Sequence, residues 1–225
     1  MGRDIVVATA SGAVNAWRAD PPHGAAAKGA IVVLQEIFGV NAHIRSVADG
    51  YAAAGYVAIA PALFDPVARH VELTYEAADF ERGRALAAEL GFERAVGIVR
   101  ATRDLLRSEG HRQIAVVGFC WGGSLAFLAN TRLGLPAVSY YGARTVPFLD
   151  EPLLAPMLFH FGVDDASIPE ADIAAHRARQ PDAEIHVHPG GHAFNRDVDP
   201  AHYHPDSAAE ARRQTMKFIA AALLR

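Results

Sequence analysis

The sequence predicts an α/β fold: one domain, 1–225, on a mostly parallel central sheet with helices on both faces. Three observations carry this. Near-continuous apolar runs, AIVVLQ at 30–35, YVAIA at 56–60, IAVV at 114–117 and MLFHF at 157–161, have the character of strands buried on both faces. They alternate with segments of helical composition, the order in which a parallel sheet is wound. No internal repeat, low-complexity tract or long linker interrupts the alternation.

The chain opens with two apolar-rich runs, 4–9 and 13–18, split by Ser11-Gly12, a hairpin signal. A loop at 20–29 leads to the strand at 30–35. Residues 42–54 are helical in composition, and Gly55 marks the stop. The strand at 56–60 runs into Pro61-Ala62-Leu63-Phe64-Asp65-Pro66. A charged, Ala-rich helix is expected over 72–90, broken by Gly91, with a second helix over 93–108. Then follow a strand at 113–118, a helix over 124–130, a strand at 137–141, a loop over 143–155 with two prolines, the strand at 157–161 and a helix over 170–179. Glu184 to His188 alternates polar and apolar, as an outer strand does, which puts His186 and His188 on its wetter face. The last element is an amphipathic helix over 206–224, with Ala208, Ala211, Met216, Ile219 and Leu223 at core spacing.

Composition narrows the function. A net charge of −4 gives no sign of a nucleic-acid or anionic-membrane partner. A single Cys excludes an intramolecular disulfide and a Cys-based zinc site, and suits a reducing compartment. The N-terminus has no signal-peptide pattern, and no apolar stretch approaches the roughly 20 residues that span a bilayer. The expectation is a cytoplasmic protein acting on a small molecule, as a monomer or small homo-oligomer.

The chemistry concentrates at Gly118-Phe119-Cys120-Trp121-Gly122, a strand–turn–helix junction with the spacing of a nucleophile elbow. The tip residue of such a turn is strained, so the positions two before and two after it must be small for strand and helix to pass. The tip side chain then stands at a helix N-terminus, whose dipole favours a thiolate. The plain alternative is a small buried Cys beside a tight turn.

In open sheets of this kind, sites form at the carboxyl ends of the strands. That rule selects four loops: 36–41, 118–122, 162–169 and 189–196. A thiol nucleophile needs a base, and the base needs an orienting partner. His192 is the base candidate, chosen from 11 histidines by its loop. Asp165 is the orienting candidate, with Asp164 competing; either can instead be a turn or capping residue before the next helix. His202 and His204 form only a weak metal signal, and no metal is assigned. An oxyanion hole requires backbone N–H groups, for which Trp121, after the nucleophile, and Ile37 are the donors expected. Glu36 is a lone carboxyl in the apolar segment VVLQEIFGV. It is either a solvated loop group or a carboxylate that governs the protonation of Cys120.

These motifs resemble those of the dienelactone hydrolase family of α/β hydrolases. The carriers are Gln35-Glu36-Ile37-Phe38-Gly39-Val40-Asn41, the Cys120 elbow, Gly162-x-x-Asp165-x-x-Ile168-Pro169 and Gly191-His192-Ala193-Phe194-Asn195-Arg196, in the family's order over most of the chain. The resemblance implies a Cys120–His192–Asp165 triad, selects Asp165 over Asp164, and implies no cofactor. It also implies that Glu36 holds the resting thiol until substrate redirects it. The implied substrate is an enol-lactone bearing a free carboxylate, opened to maleylacetate in aromatic-compound breakdown. Arg196 matches the family arginine that holds that carboxylate, as a guanidinium fork can. A second arginine is expected before the elbow, with Arg82 chosen over Arg69 and Arg84. Phe38, like Phe64, Trp121 and Phe194, either lines the pocket or belongs to the core. Two other functions stay open: a carboxylesterase or thioesterase of different substrate range, and a non-catalytic binding protein on the same scaffold.

Overall fold

The computed structural model describes residues 2–22 and 25–224. His23 and Gly24 of the expected 20–29 loop, and the two end residues of the expected 1–225 domain, lie outside the described residues. The chain divides into two compact units, Met1–Ala115 and Val116–Arg225.

In the first unit, β1 (Arg3–Thr9) and β2 (Gly12–Ala19) form the hairpin, with Thr9 opposite Gly12 and Arg3 opposite Arg18. Strand β2 pairs antiparallel with β4 (Val57–Pro61), and β4 pairs parallel with β3 (Ala30–Leu34). Every residue of β3 and β4 is buried, which explains why their sequences do not alternate. Helix α1 (Ala42–Ala53) starts where the Asn41 side chain accepts a hydrogen bond from Ile44 N at 3.2 Å.

Helix α2 (Ala77–Ser108) is broken at Gly91, whose φ of +71° and ψ of +159° no helix allows, as the sequence predicts. Its start is later than the expected residue 72. Glu72 bridges Gly39 instead, and Leu73 N donates to Phe38 O at 2.9 Å. Thr74 N and Oγ1 then both donate to the Asp79 carboxylate, at 2.8 and 2.7 Å. Backbone groups committed to a bridge cannot also close helical turns, so the Ala-rich pattern extends further than the helix does.

The second unit takes over within β5 (Ile114–Phe119). It continues through α3 (Trp121–Leu133), β6 (Ala137–Tyr140), β7 (Met157–Gly162), α4 (Glu170–Arg179), β8 (Glu184–His188) and α5 (Pro205–Leu223). Strands β5, β6, β7 and β8 pair in that order, all parallel. The loop over 143–155 contains one short 3-10 turn, Val146–Phe148. Helix α3 is buried from Trp121 through Thr131 and carries no polar stripe. The architecture is α/β with a mostly parallel sheet; β2 pairs antiparallel with both β1 and β4. Among the described residues, no helix is long and apolar enough to cross a membrane.

Two expectations need correction here. His188 is not on a wet face: it is 5% exposed, whereas Val187 is 39% exposed. Its ring is satisfied inside, with Nε2 3.0 Å from His160 Nδ1; His160 Nε2 lies 3.0 Å from Thr215 Oγ1, and that hydroxyl 2.7 Å from Tyr140 Oη. The same chain explains the second. On α5 it is Thr215 that is fully buried, while Met216 is only half-buried.

Candidate active site

The turn from β5 into α3 has the strained form its spacing predicts. Cys120 has φ +54° and ψ −119°, a conformation L-residues rarely adopt and one that costs on the order of 1–3 kcal/mol. Gly118 is needed for close approach: a Cβ there would lie 1.9 Å from Gly122 O. Cys120 N donates to Tyr140 O at 3.0 Å, which ties the turn to β6. Gly123 N donates back to Cys120 O at 2.9 Å and closes the first helical turn. The thiol is left half-buried at the N-terminus of α3.

The loops after β7 and β8 bring two more groups to that thiol. His192 Nε2 lies 3.1 Å from Cys120 Sγ, and His192 Nδ1 lies 2.8 Å from Asp165 Oδ2. Asp165 has no exposed side-chain surface, and its other oxygen accepts from Ser167 N at 2.8 Å. It therefore fills the turn role and the orienting position together. Asp164 is exposed, its backbone N donating to Gly190 O at 3.0 Å. Burial pushes the His192 imidazolium down, but the negative charge on Cys120 and the hydrogen bond to Asp165 more than reverse this, raising its pKa to about 10. At neutral pH the ring carries both protons, one toward sulfur and one toward Asp165. A cysteine sulfur facing a ring oriented in this way is suited to attack on an acyl carbon followed by proton return.

Sequence reasoning missed Tyr141, the aromatic ring behind this one. Tyr141, at φ +41° and fully buried, has its ring centroid 5.1 Å from that of His192. Phe194 meets Tyr141 edge-on at 5.5 Å. The only signal was a Tyr-Tyr-Gly at the end of β6, which strand periodicity does not separate from ordinary core.

Four expected residues belong to the first unit. Glu36 is fully buried, so it is not a solvated loop carboxylate. Its carbonyl accepts from Gln35 Nε2 at 3.2 Å, and Gln35 Oε1 accepts from Leu63 N at 3.0 Å. Ile37 is 5% exposed, and its carbonyl packs so closely on α2 that a Cβ at Gly83 would lie 2.2 Å from it. Phe38 is 2% exposed and packs edge-on against Tyr75 at 4.9 Å. Arg82 is exposed on α2, whereas Arg84 reaches Glu81 at 3.6 Å and lies over the Phe80 ring.

The remaining two residues lie in the second unit. Trp121 is 7% exposed, at the first position of α3, where helix N–H groups lack intrahelical acceptors. Arg196 is 5% exposed, not a surface arginine, with Nη1 2.9 Å from Asp199 Oδ2. His202 Nδ1 shares that oxygen at 2.7 Å. His204 Nδ1 caps α5 by accepting from Ser207 N at 3.4 Å. Among the described residues, no group of three or more His, Cys, Asp or Glu is placed to hold a metal ion.

Known proteins resemble this chain over most of its length. The model of the dienelactone hydrolase family matches residues 14–223. The carboxymethylenebutenolidase 1 of Cupriavidus pinatubonensis is 30% identical over 202 residues, 84% of this chain and 85% of that protein. A Synechocystis protein provisionally named a carboxymethylenebutenolidase is 34% identical over 203 residues, covering 80% and 81% of the two chains. A Klebsiella pneumoniae crystal structure, provisionally named a dienelactone hydrolase, superposes with a TM-score of 0.88 at 27% identity over 98% of each chain. A lidless α/β serine hydrolase from Xanthomonas campestris shares the fold alone, at 12% identity and a TM-score of 0.70.

Proposed function

The chain belongs to the dienelactone hydrolase family, and from that premise we propose that this hydrolase works through Cys120, with His192 as base and Asp165 as the group that orients it. The observation that carries the proposal is the line Sγ–Nε2 at 3.1 Å and Nδ1–Oδ2 at 2.8 Å. The thiolate attacks the ester or lactone carbonyl. Charge gathers on the carbonyl oxygen, with the N–H groups of Trp121 and Ile37 as proposed donors, each worth roughly 3 kcal/mol by comparison with other oxyanion holes. The C–O bond breaks as the His192 imidazolium gives its Nε2 proton to the leaving oxygen, the alcohol or enol departs, and an acyl-thioester remains on Cys120 beside a neutral His192. His192 takes a proton from water, the hydroxide so formed attacks the thioester, and the thiolate departs with the imidazolium restored. No cofactor enters the cycle. Glu36 is proposed to govern the resting thiol.

The substrate proposed first is an enol-lactone carrying a carboxylate, dienelactone opened to maleylacetate in the cytoplasmic breakdown of aromatic compounds. Arg196 is proposed to hold that carboxylate, with Arg82 as second cation and Phe38 as an apolar wall. One observation favours a second reading, a carboxylesterase for neutral esters: Arg196 already holds a carboxylate, that of Asp199.

Steady-state hydrolysis of cis- and trans-dienelactone and of p-nitrophenyl acetate tests the assignment. Cys120→Ala is expected to lower kcat by roughly 10⁴-fold or more on all three while circular dichroism stays unchanged. Retained turnover in that variant would remove Cys120 from the mechanism.

A further inference from the structure

The pair formed by Arg196 and Asp199 bears on which substrates the site accepts. Both side chains are withdrawn from water, at 6% and 12% exposure, and Nη1 meets Oδ2 at 2.9 Å. Both sit on consecutive turns that follow His192: Arg196 N donates to Ala193 O at 2.8 Å, and Asp199 N donates to Arg196 O at 3.1 Å. A guanidinium holds a carboxylate best with two parallel N–H groups. With Nη1 committed to Asp199, an incoming carboxylate must either accept a poorer grip or displace that residue.

We propose that Asp199 is a positioning residue that sets the charge preference of this hydrolase. By occupying Arg196 it disfavours carboxylate-bearing substrates relative to neutral ones, and it admits an anionic substrate only by swinging away. The proposal rests on the reading of Arg196 as the carboxylate-binding cation. Two features make the swing feasible. His202 Nδ1 holds the same Oδ2 at 2.7 Å, so an Asp199 that leaves Arg196 keeps a partner. The His202 side chain is 54% exposed and free to follow it. Burial pushes the Asp199 carboxyl up, but hydrogen bonds from His202 and Arg196 hold it below the ordinary carboxylate range, so the competitor is charged at neutral pH.

Two alkylating agents of similar size and opposite character test this without a known substrate. In both, the Cys120 thiolate displaces iodide and an S–CH2 bond forms; iodoacetate brings a negative charge and iodoacetamide none. The readout is the ratio of their second-order rates at pH 7.5 and low salt, where screening is weakest. Asp199→Asn is expected to raise the iodoacetate-to-iodoacetamide ratio roughly tenfold, the scale of removing one negative charge at short range. Asp199→Glu is expected to restore the wild-type ratio, and Arg196→Ala to lower it. His202→Ala, an exposed change that preserves folding, leaves Asp199 to Arg196 alone and is expected to lower the ratio as well. The kcat/KM ratio of trans-dienelactone to p-nitrophenyl acetate should move in the same sense.

A purely structural staple across the turn predicts otherwise: Asp199→Asn lowers Tm and leaves the alkylation ratio in place. That result overturns the proposal while the arginine reading stands, provided Arg196→Ala still shifts the ratio. If Arg196→Ala shifts nothing, the arginine reading fails and this proposal with it. Retained ester hydrolysis would then show the Cys120 assignment intact.

Discussion

Cys120 and His192 hold opposite ends of one electrostatic arrangement. The backbone at Cys120 is strained at φ +54°, and the strain puts the sulfur at a helix N-terminus within 3.1 Å of an imidazole. Burial works against charge on His192, yet its pKa rises to about 10 because the charge on Cys120 and the bond to Asp165 outweigh burial. Two consequences follow at this scale. The His192 ring should show imidazolium nitrogen shifts by NMR at pH 7–8 and lose its proton only near 10. In Cys120→Ala the largest raising cause is gone, so the titration should move down toward the ordinary histidine range. A titration unchanged by that substitution would show that the proton is held by Asp165 alone.

Cys120 was legible in the sequence for a physical reason, and His192 by its loop, whereas only the family resemblance separated Asp165 from Asp164. An elbow needs glycine at fixed offsets, and Gly118 shows why, since a Cβ there has no space beside Gly122 O. The pairing of Arg196 with Asp199 was not legible, because an i,i+3 ion pair in a turn depends on side-chain directions that residue spacing does not determine.

Among the elements, the hydrogen-bonded chain linking β6, β7, β8 and α5 is what strand and helix patterns could not show. Period-two alternation in Glu184–His188 tells that two faces differ, not which one is wet, and it is His188 that lies buried while Val187 is exposed. The run Tyr140 Oη, Thr215 Oγ1, His160 and His188 contains three contacts, each needing one proton, and neutral imidazoles supply them in a single direction. This also sets the phase of α5, turning Thr215 rather than Met216 inward.

The chain has an acid limit. Burial holds His160 well below its ordinary pKa, and His188 is likewise lowered by burial; the charge of His186 lowers both, and Glu210 opposes this at His188. These groups are neutral in the fold and charge when unfolded, so the unfolded state binds more protons below about pH 6.5. Stability from the chain is present above that value and is lost as pH falls through the folded-state values. Tm should therefore decline on going from pH 7 to pH 5. His188→Gln, which keeps a hydrogen-bonding side chain without a titrating one, should decline less steeply. Parallel slopes for the two proteins would remove the histidine chain as the cause.

At the scale of the molecule, the family match runs from residue 14 to residue 223 and so covers most of both compact units. The order of strands and helices was readable because strands buried on both faces have no polar positions to obscure them, as in β3, β4 and β5. Boundaries were less readable where a long-range contact decides them, as the bridge between Gly39 and Glu72 delays α2. The charge preference proposed above belongs to the assembled loop after His192, and it depends on Asp199, which no motif names.

The central claim is that the acyl group of the substrate passes through Cys120. Rapid quenching during the first turnover of p-nitrophenyl acetate, followed by intact-mass and peptide analysis, tests it most directly. The account predicts an acetyl adduct on the peptide bearing Cys120, formed with the nitrophenolate burst and lost at the steady-state rate. Full turnover with no adduct, or with the acetyl group on another residue, would contradict it.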